Sequence, residues 1–288
     1  MQSIVSTLWG SYVQTCTFFK SPFKALEHTT LNEKFDIQAK YGLPSNSQPS
    51  LLALTIGNLG HRHVPGKDGF PLIVPVDHES DHAALYNHIP FVLRATNDDL
   101  TPDQRAKYAL RKEVTMEDGT NYYAYYAKRL NLAGVVPQAK QTIVENGNSV
   151  SSPYVPTSAN LNPTAPEISN TQVVTTSGEY RSASAVISIP FNADDVAEII
   201  NVAKILYNDE NYAVISEFGF CTGVDATVSV PTSTGQSNFK EIVACQIAFF
   251  VSAHYEMIFN SEGFDFRVEA GAVEPLLGAQ AVNVSVLS

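Results

Sequence analysis

The sequence predicts an α+β, β-rich fold: a mixed α/β N-terminal region, a proline-rich extended connector, and a C-terminal β-sheet domain with one packed helix. Three observations predict it. Runs rich in Val, Ile and Phe, bounded by Gly, Asn, Asp and Ser, dominate the last third of the chain. The clearest helical apolar stripe is confined to residues 192–207. Between Ser149 and Gln172, Pro153, Pro156, Pro163 and Pro166 alternate with Ser, Asn and Thr, a stretch that neither a helix nor a central strand absorbs. The expected organisation is therefore a domain over 1–148, a linker or arm over 149–172, and a second domain over 173–288.

In chain order, Ser50–Gly57 reads as a strand ended by Gly57, Asn58 and Gly60. Leu72–Val76 is a short apolar strand interrupted by Pro75, and Asp81–Asn87 has room for at most two helical turns. Thr101–Met116 reads as a helix, because Thr101 is a capping residue, Pro102 suits the first helical position and Asp103 favours the positive end of the dipole. Asp118-Gly119 then turns the chain into a strand over Asn121–Asn131, in which Tyr122, Tyr123, Tyr125 and Tyr126 place rings on both faces. That tyrosine run is either a contact surface for a neighbour or an internal core strand.

Beyond the connector, Glu179–Pro190 alternates with period two and reads as a strand. Asn192 caps the helix over 192–207, in which Val196, Ile199, Ile200, Ala203 and Leu206 form one stripe and Asp194 and Asp195 occupy the first turn. Tyr212–Phe220, Val224–Val230, Glu241–Asn260, Gly263–Ala270 and Ala281–Leu287 complete the strands, and the last of these offers an edge to a neighbouring sheet.

Composition narrows the function. Charged residues make up 16% of 288, against about 25% in an ordinary soluble domain. The net charge of −11 provides no basic field for a phosphate backbone, so direct nucleic-acid binding is not expected. Cys16, Cys221 and Cys245 are three, widely spaced and without a C-x-x-C pair, which excludes a zinc ribbon or a disulfide framework and fits a reducing compartment. Met1–Thr17 lacks a cationic leader, and the most apolar run, Ile242–Phe259, carries His254 and Glu256 and reads as a buried strand, so a soluble chain with no membrane partner is expected.

One constellation points to an enzyme. His78-Glu79-Ser80-Asp81-His82 matches H-E-x-x-H, and His88 follows six residues after His82, as a third zinc ligand would. In that reading His78, His82 and His88 ligate zinc and Glu79 activates the bound water. Against it, Leu85 occupies the position where the third ligand's turn needs glycine, Pro71 and Pro75 crowd the start of the required helix, and Asp81 is a charge on a face such helices bury. The alternative is a histidine-rich polar loop. His61-Arg62-His63 after the first strand has the look of a strand-end metal site but lacks companions. Phosphate-loop, dinucleotide and nucleophile-elbow motifs are absent. A glycan-binding module would use the tyrosines equally well.

Three stretches, Ala84–Arg94 (ALYNHIPFVLR), Tyr123–Leu130 (YAYYAKRL) and Ile205–Gly223 (ILYNDENYAVISEFGFCTG), together resemble structural proteins of tailed bacteriophage virions, over most of the chain from about Gly57 to Leu277. The resemblance implies a non-enzymatic neck, collar, tail or baseplate component, assembled in the host cytoplasm as a ring of copies in contact with other virion proteins. It implies no catalytic residue, metal or cofactor, and makes the H-E-x-x-H match fortuitous. The zinc hydrolase built on His78-Glu79-x-x-His82 is the alternative.

Overall fold

The computed structural model describes residues 2–40, 42–67, 69–145, 148–164, 179–232, 235–257 and 262–275. The elements open with β1 (Gln2–Ser6), α1 (Leu8–Phe19), α2 (Leu31–Phe35), β2 (Ser50–Gly57), β3 (His61–Pro65), β4 (Pro71–Pro75), β5 (His88–Ile89) and β6 (Val92–Ala95). They continue through α3 (Pro102–Arg105), β7 (Tyr108–Thr115), β8 (Asn121–Arg129), β9 (Gln138–Glu145), β10 (Asn148–Pro153) and α4 (Ser158–Leu161). The last are β11 (Glu179–Phe191), α5 (Ala193–Tyr207), β12 (Val214–Thr232), β13 (Gly235–Met257) and β14 (Phe264–Pro275). The chain is α+β and β-rich. No helix among the described residues is long and apolar enough to cross a membrane.

Contacts divide the chain into two units: Met1–Leu130 with Phe191–Phe264, and Asn131–Pro190 with Asp265–Ser288. The division therefore runs differently from the expected 1–148, 149–172 and 173–288. Strand pairing is the cause: β13 takes β1 on one edge, and β12 takes β2, so α5, β12 and β13 belong with the N-terminal residues.

The first unit is built on an eight-stranded sheet ordered β1-β13-β12-β2-β8-β6, with β5 also on β2 and β7 also on β8. β12 and β13 form one long antiparallel hairpin with register shifts at Ile215/Glu217, Phe220/Cys221 and Thr222/Val224, where the sequence suggested separate strands. A core of Leu31, Phe35, Ala53, Leu85, Leu110, Ile247 and Phe250 packs on this sheet. α5 follows its sequence signals: Asn192 and Asp195 form a reciprocal cap, and Val196, Ile199, Val202 and Ala203 are buried. Its Val202 packs with Leu93 and Ala124, and Asp195 meets Lys128 Nζ at 2.6 Å.

The expected helix over Thr101–Met116 is corrected to one turn. Thr101 and Gln104 do form the cap and Pro102 opens the helix, but the chain leaves it after Arg105 and becomes β7. Register with β8 from Tyr108↔Lys128 to Thr115↔Asn121 outweighs the local start signal, because the β7–β8 pair buries Tyr108, Ala109 and Leu110 in the sheet. Of the tyrosine run on β8, Tyr125 is fully buried with its hydroxyl on Asp99 at 2.6 Å, whereas Tyr122, Tyr123 and Tyr126 are half-buried, Tyr126 stacking on Phe35 at 4.2 Å and Tyr123 lying under the Arg111 guanidinium.

The second unit carries a four-stranded sheet ordered β10-β9-β11-β14. The start of the expected linker is here a strand: β10 pairs with β9 from Asn148↔Glu145 to Pro153↔Lys140, and all its residues are exposed. Lys140 bridges to Glu269 at 2.8 Å, and Ser184 also donates to Glu269. Residues 165–172 of the expected linker and the expected strand Ala281–Leu287 lie outside the described residues.

Candidate functional site: the buried Glu217 cluster

Among the described residues, Glu217 gathers a polar cluster although it lies outside the His78–His88 stretch. Glu217 stands in β12 beside a register shift and is 0% exposed. A carboxylate in such a place has to be met on both oxygens. Oε1 accepts from the backbone amides of Asn87 at 3.0 Å and Leu59 at 3.2 Å; Oε2 accepts from the amide of Tyr86 at 2.9 Å and from His78 Nε2 at 3.0 Å. Gly57 faces Glu217 across the β2–β12 ladder, and a Cβ there would come within 2.5 Å of Oε1, so glycine leaves the room through which the carboxylate reaches the 85–88 segment.

His78 is buried between rings, 3.9 Å from Phe250 and 4.3 Å from Tyr86, both near parallel. Its other nitrogen, Nδ1, lies 3.2 Å from His82 Nδ1, which also accepts the Glu79 amide at 3.3 Å. The loop is held from α1, where Leu8 N donates to Ser80 O at 2.7 Å and Trp9 Nε1 to His82 O at 3.0 Å. Asn87 Nδ2 reaches Asn58 Oδ1 at 2.7 Å and the Tyr207 hydroxyl at 3.2 Å, tying the cluster to the end of α5.

This geometry differs from the helical H-E-x-x-H arrangement. Residues 76–79 have no regular secondary structure, Ser80 and Asp81 form a turn closed by His82 N on Glu79 O at 3.1 Å, and no helix forms over Asp81–Asn87. The reason is upstream: Pro71 and Pro75 bracket β4, which pairs with β3, so the residues just before His78 are held in a hairpin and not in the helix the motif needs. His88 does not join His78 and His82. Its Nε2 accepts the Leu85 amide at 3.0 Å, its ring packs edge-on against Phe35, and Leu85 is buried in the core. Among the described residues, the group of three metal-ligating side chains that comes together is Glu79, Asp81 and His82, with ligand atoms within 4.8 Å of one another. His61 and His63 sit on the β3–β4 hairpin and are not in it.

Burial holds His88 down to about 3, reinforced by Lys34 and His78, from an ordinary value of 6.5. Its Nδ1 is buried and meets no hydrogen-bonding partner among the described residues. A depressed histidine contributes stability that is present above pH 6.5 and is lost as pH falls toward 3, because the unfolded chain takes up the proton first. Urea melts followed through Trp9 are expected to lose about 2 kcal/mol between pH 7 and pH 5. His88→Gln flattens that dependence; equal losses in both proteins would contradict the assignment.

A cavity of about 460 Å³ is lined by Arg105, Tyr125, Arg129, Phe239 and Glu241 among others, and its arginines are each ion-paired, Arg105 to Glu241 at 3.2 Å, Arg111 to Asp99 at 3.1 Å and Arg129 to Asp225 at 2.7 Å. Cys221 and Cys245 are fully buried, and contact with Cys221 together with burial pushes the Cys245 thiol well above its ordinary value, the wrong direction for a nucleophile.

A family model described as "Family of unknown function (DUF7208)" matches residues 1–285. The chain belongs to that family. No curated protein and no solved structure matches the chain. The Glu217 cluster therefore sits within the span of the DUF7208 match. Glu217 had one sequence signal, a lone acid within the apolar run VISEFGF, where only a paired carboxylate is tolerable.

Proposed function

We propose that this DUF7208 protein is a non-enzymatic structural component of a tailed bacteriophage virion, assembled as a symmetric oligomer in the neck, collar, tail or baseplate. The observation that carries the reading is the surface. Phe18 and Phe19 at the end of α1 are 82% and 71% exposed, and Phe70, Val155 and Leu161 are exposed to 77%, 75% and 85%. Large apolar side chains on a charge-poor surface are stabilised by a neighbour that takes them out of water. A repeated copy does so economically, because one patch serves every subunit of a ring. The closed hydrogen bonding of Glu217 supports the same reading, since the carboxylate is engaged on both oxygens with holding segments together.

The tyrosines of β8 are buried or half-buried, whereas Phe18 and Phe19 stand almost free in solvent, so the contact is assigned to the α1 end, and Phe18→Ser with Phe19→Ser is expected to reduce self-association without lowering the Tm. Antibodies to the chain are expected to label purified particles at a ring or collar, in several copies per particle. Particles that lack the chain altogether would contradict the proposal.

A further inference from the structure

The cavity beside α3 carries more cationic donors than its own partners take up. Four cations line it, Arg105, Arg111, Arg129 and Lys240, against two carboxylates, Asp225 and Glu241, in a chain whose net charge is −11. Asp225 meets Arg129, and Glu241 meets Arg105. Arg111 turns to Asp99, a carboxylate it shares with the Tyr125 hydroxyl. Lys240 is exposed, and its ammonium has no carboxylate partner among the described residues.

Two observations point to an anion in this place. The Arg105 side chain is only 4% exposed, and of its several N–H donors one is spent, on Glu241 at 3.2 Å. Arg111 Nε is buried and meets no hydrogen-bonding partner among the described residues. Buried donors left unmet are costly, and a planar anion facing a guanidinium answers two of them at once. The two arginines also oppose each other: after burial, the like charge of Arg111 is the largest influence pulling the Arg105 guanidinium down. A negative group placed with both would relieve that repulsion.

We propose that this cavity is a binding site for a small organic carboxylate with a flat apolar body, its oxygens taken by Arg105 and Arg111. The volume of about 460 Å³ falls within the range of small-molecule sites, roughly 300–1,000 Å³. Pro102, Ala106 and Leu110 supply apolar wall for the body, and the Phe239 ring, 3.6 Å from the Arg105 guanidinium, fixes that guanidinium in its plane. A carboxylate matches the planar fork of an arginine, and the apolar wall favours it over a compact, fully hydrated anion. The site stands independently of the virion reading.

The test is calorimetric titration of the full-length chain with 2-naphthoate, alongside the neutral 2-naphthamide and inorganic phosphate. One naphthoate per chain is expected, with a Kd below about 1 mM and a Tm that rises with its concentration. Naphthamide, which lacks the charge, and phosphate, which lacks the apolar body, are each expected to bind at least about 10-fold more weakly. Arg111→Lys keeps a cation for Asp99 but loses Nε and the planar fork, and is expected to weaken naphthoate by at least about 10-fold. Lys240→Gln, a change on an exposed side chain, weakens it by about 2- to 5-fold. No heat with naphthoate up to about 10 mM, equal binding of naphthamide or of phosphate, or binding unchanged in both variants, overturns the proposal.

Discussion

Glu217→Ala is expected to be among the most destabilising single changes in the chain, at about 3–5 kcal/mol, because it leaves the amides of Leu59, Tyr86 and Asn87 and the Nε2 of His78 without their acceptor in a buried place. In a unit of this size that corresponds to a Tm lower by about 10 °C. Glu217→Gln preserves volume but turns an amide NH₂ toward two N–H donors, so a loss of about 2–3 kcal/mol is expected from it. Differential scanning calorimetry of the three proteins reads the order wild type, Gln, Ala. A Gln variant as stable as wild type would show that the second carboxylate oxygen holds nothing, and would remove the cluster as the element that fixes the 85–88 segment onto β12.

The second large effect is expected at Arg105 and Glu241, which meet at 3.2 Å with both side chains nearly inaccessible. Burial pulls the Arg105 guanidinium down and pushes the Glu241 carboxyl up, in each case against the pull of its partner. The desolvation cost is thus not fully offset by the attraction. Arg105→Ala leaves Glu241 unpaired and removes the guanidinium from the Phe239 ring, 3.6 Å away, at a cost of about 3–5 kcal/mol. Arg105→Met combined with Glu241→Leu removes both charges and is expected to fall within about 1 kcal/mol of wild type or above it. Urea midpoints of the single and double variants decide the matter. A double variant as unstable as the single one would show that the ion pair itself, and not the avoidance of a lone buried charge, stabilises the end of α3.

Local signals were sufficient wherever they agreed with the sheet. Ser50–Gly57 is a strand as read, the turn at Asp118-Gly119 feeds β8, and Asn192 caps α5 over its expected span. Thr101–Met116 shows the limit: a correct cap predicted a helix, and pairing with β8 ended it after one turn. α1 shows another. Its buried face is Gly10, Val13 and Cys16, while Leu8, Phe18 and Phe19 point outward, so no apolar stripe marks it in the sequence. Gly10 is required by proximity, since a Cβ there would lie 2.6 Å from Ala248 O. The domain boundary was not legible either, because β1 and β2 find their partners more than 150 residues away in β12 and β13. For the Glu217 cluster, His78 was visible as a motif residue, but its partner in β12 lies 139 positions later, and no spacing rule connects them.

Native mass spectrometry of the full-length chain, at concentrations from about 1 to 100 μM, tests the central claim most directly. The structural reading predicts a discrete closed oligomer whose population grows with concentration and which the Phe18→Ser, Phe19→Ser variant shifts toward monomer. A chain that stays monomeric across that range, with the variant indistinguishable from wild type, would contradict it.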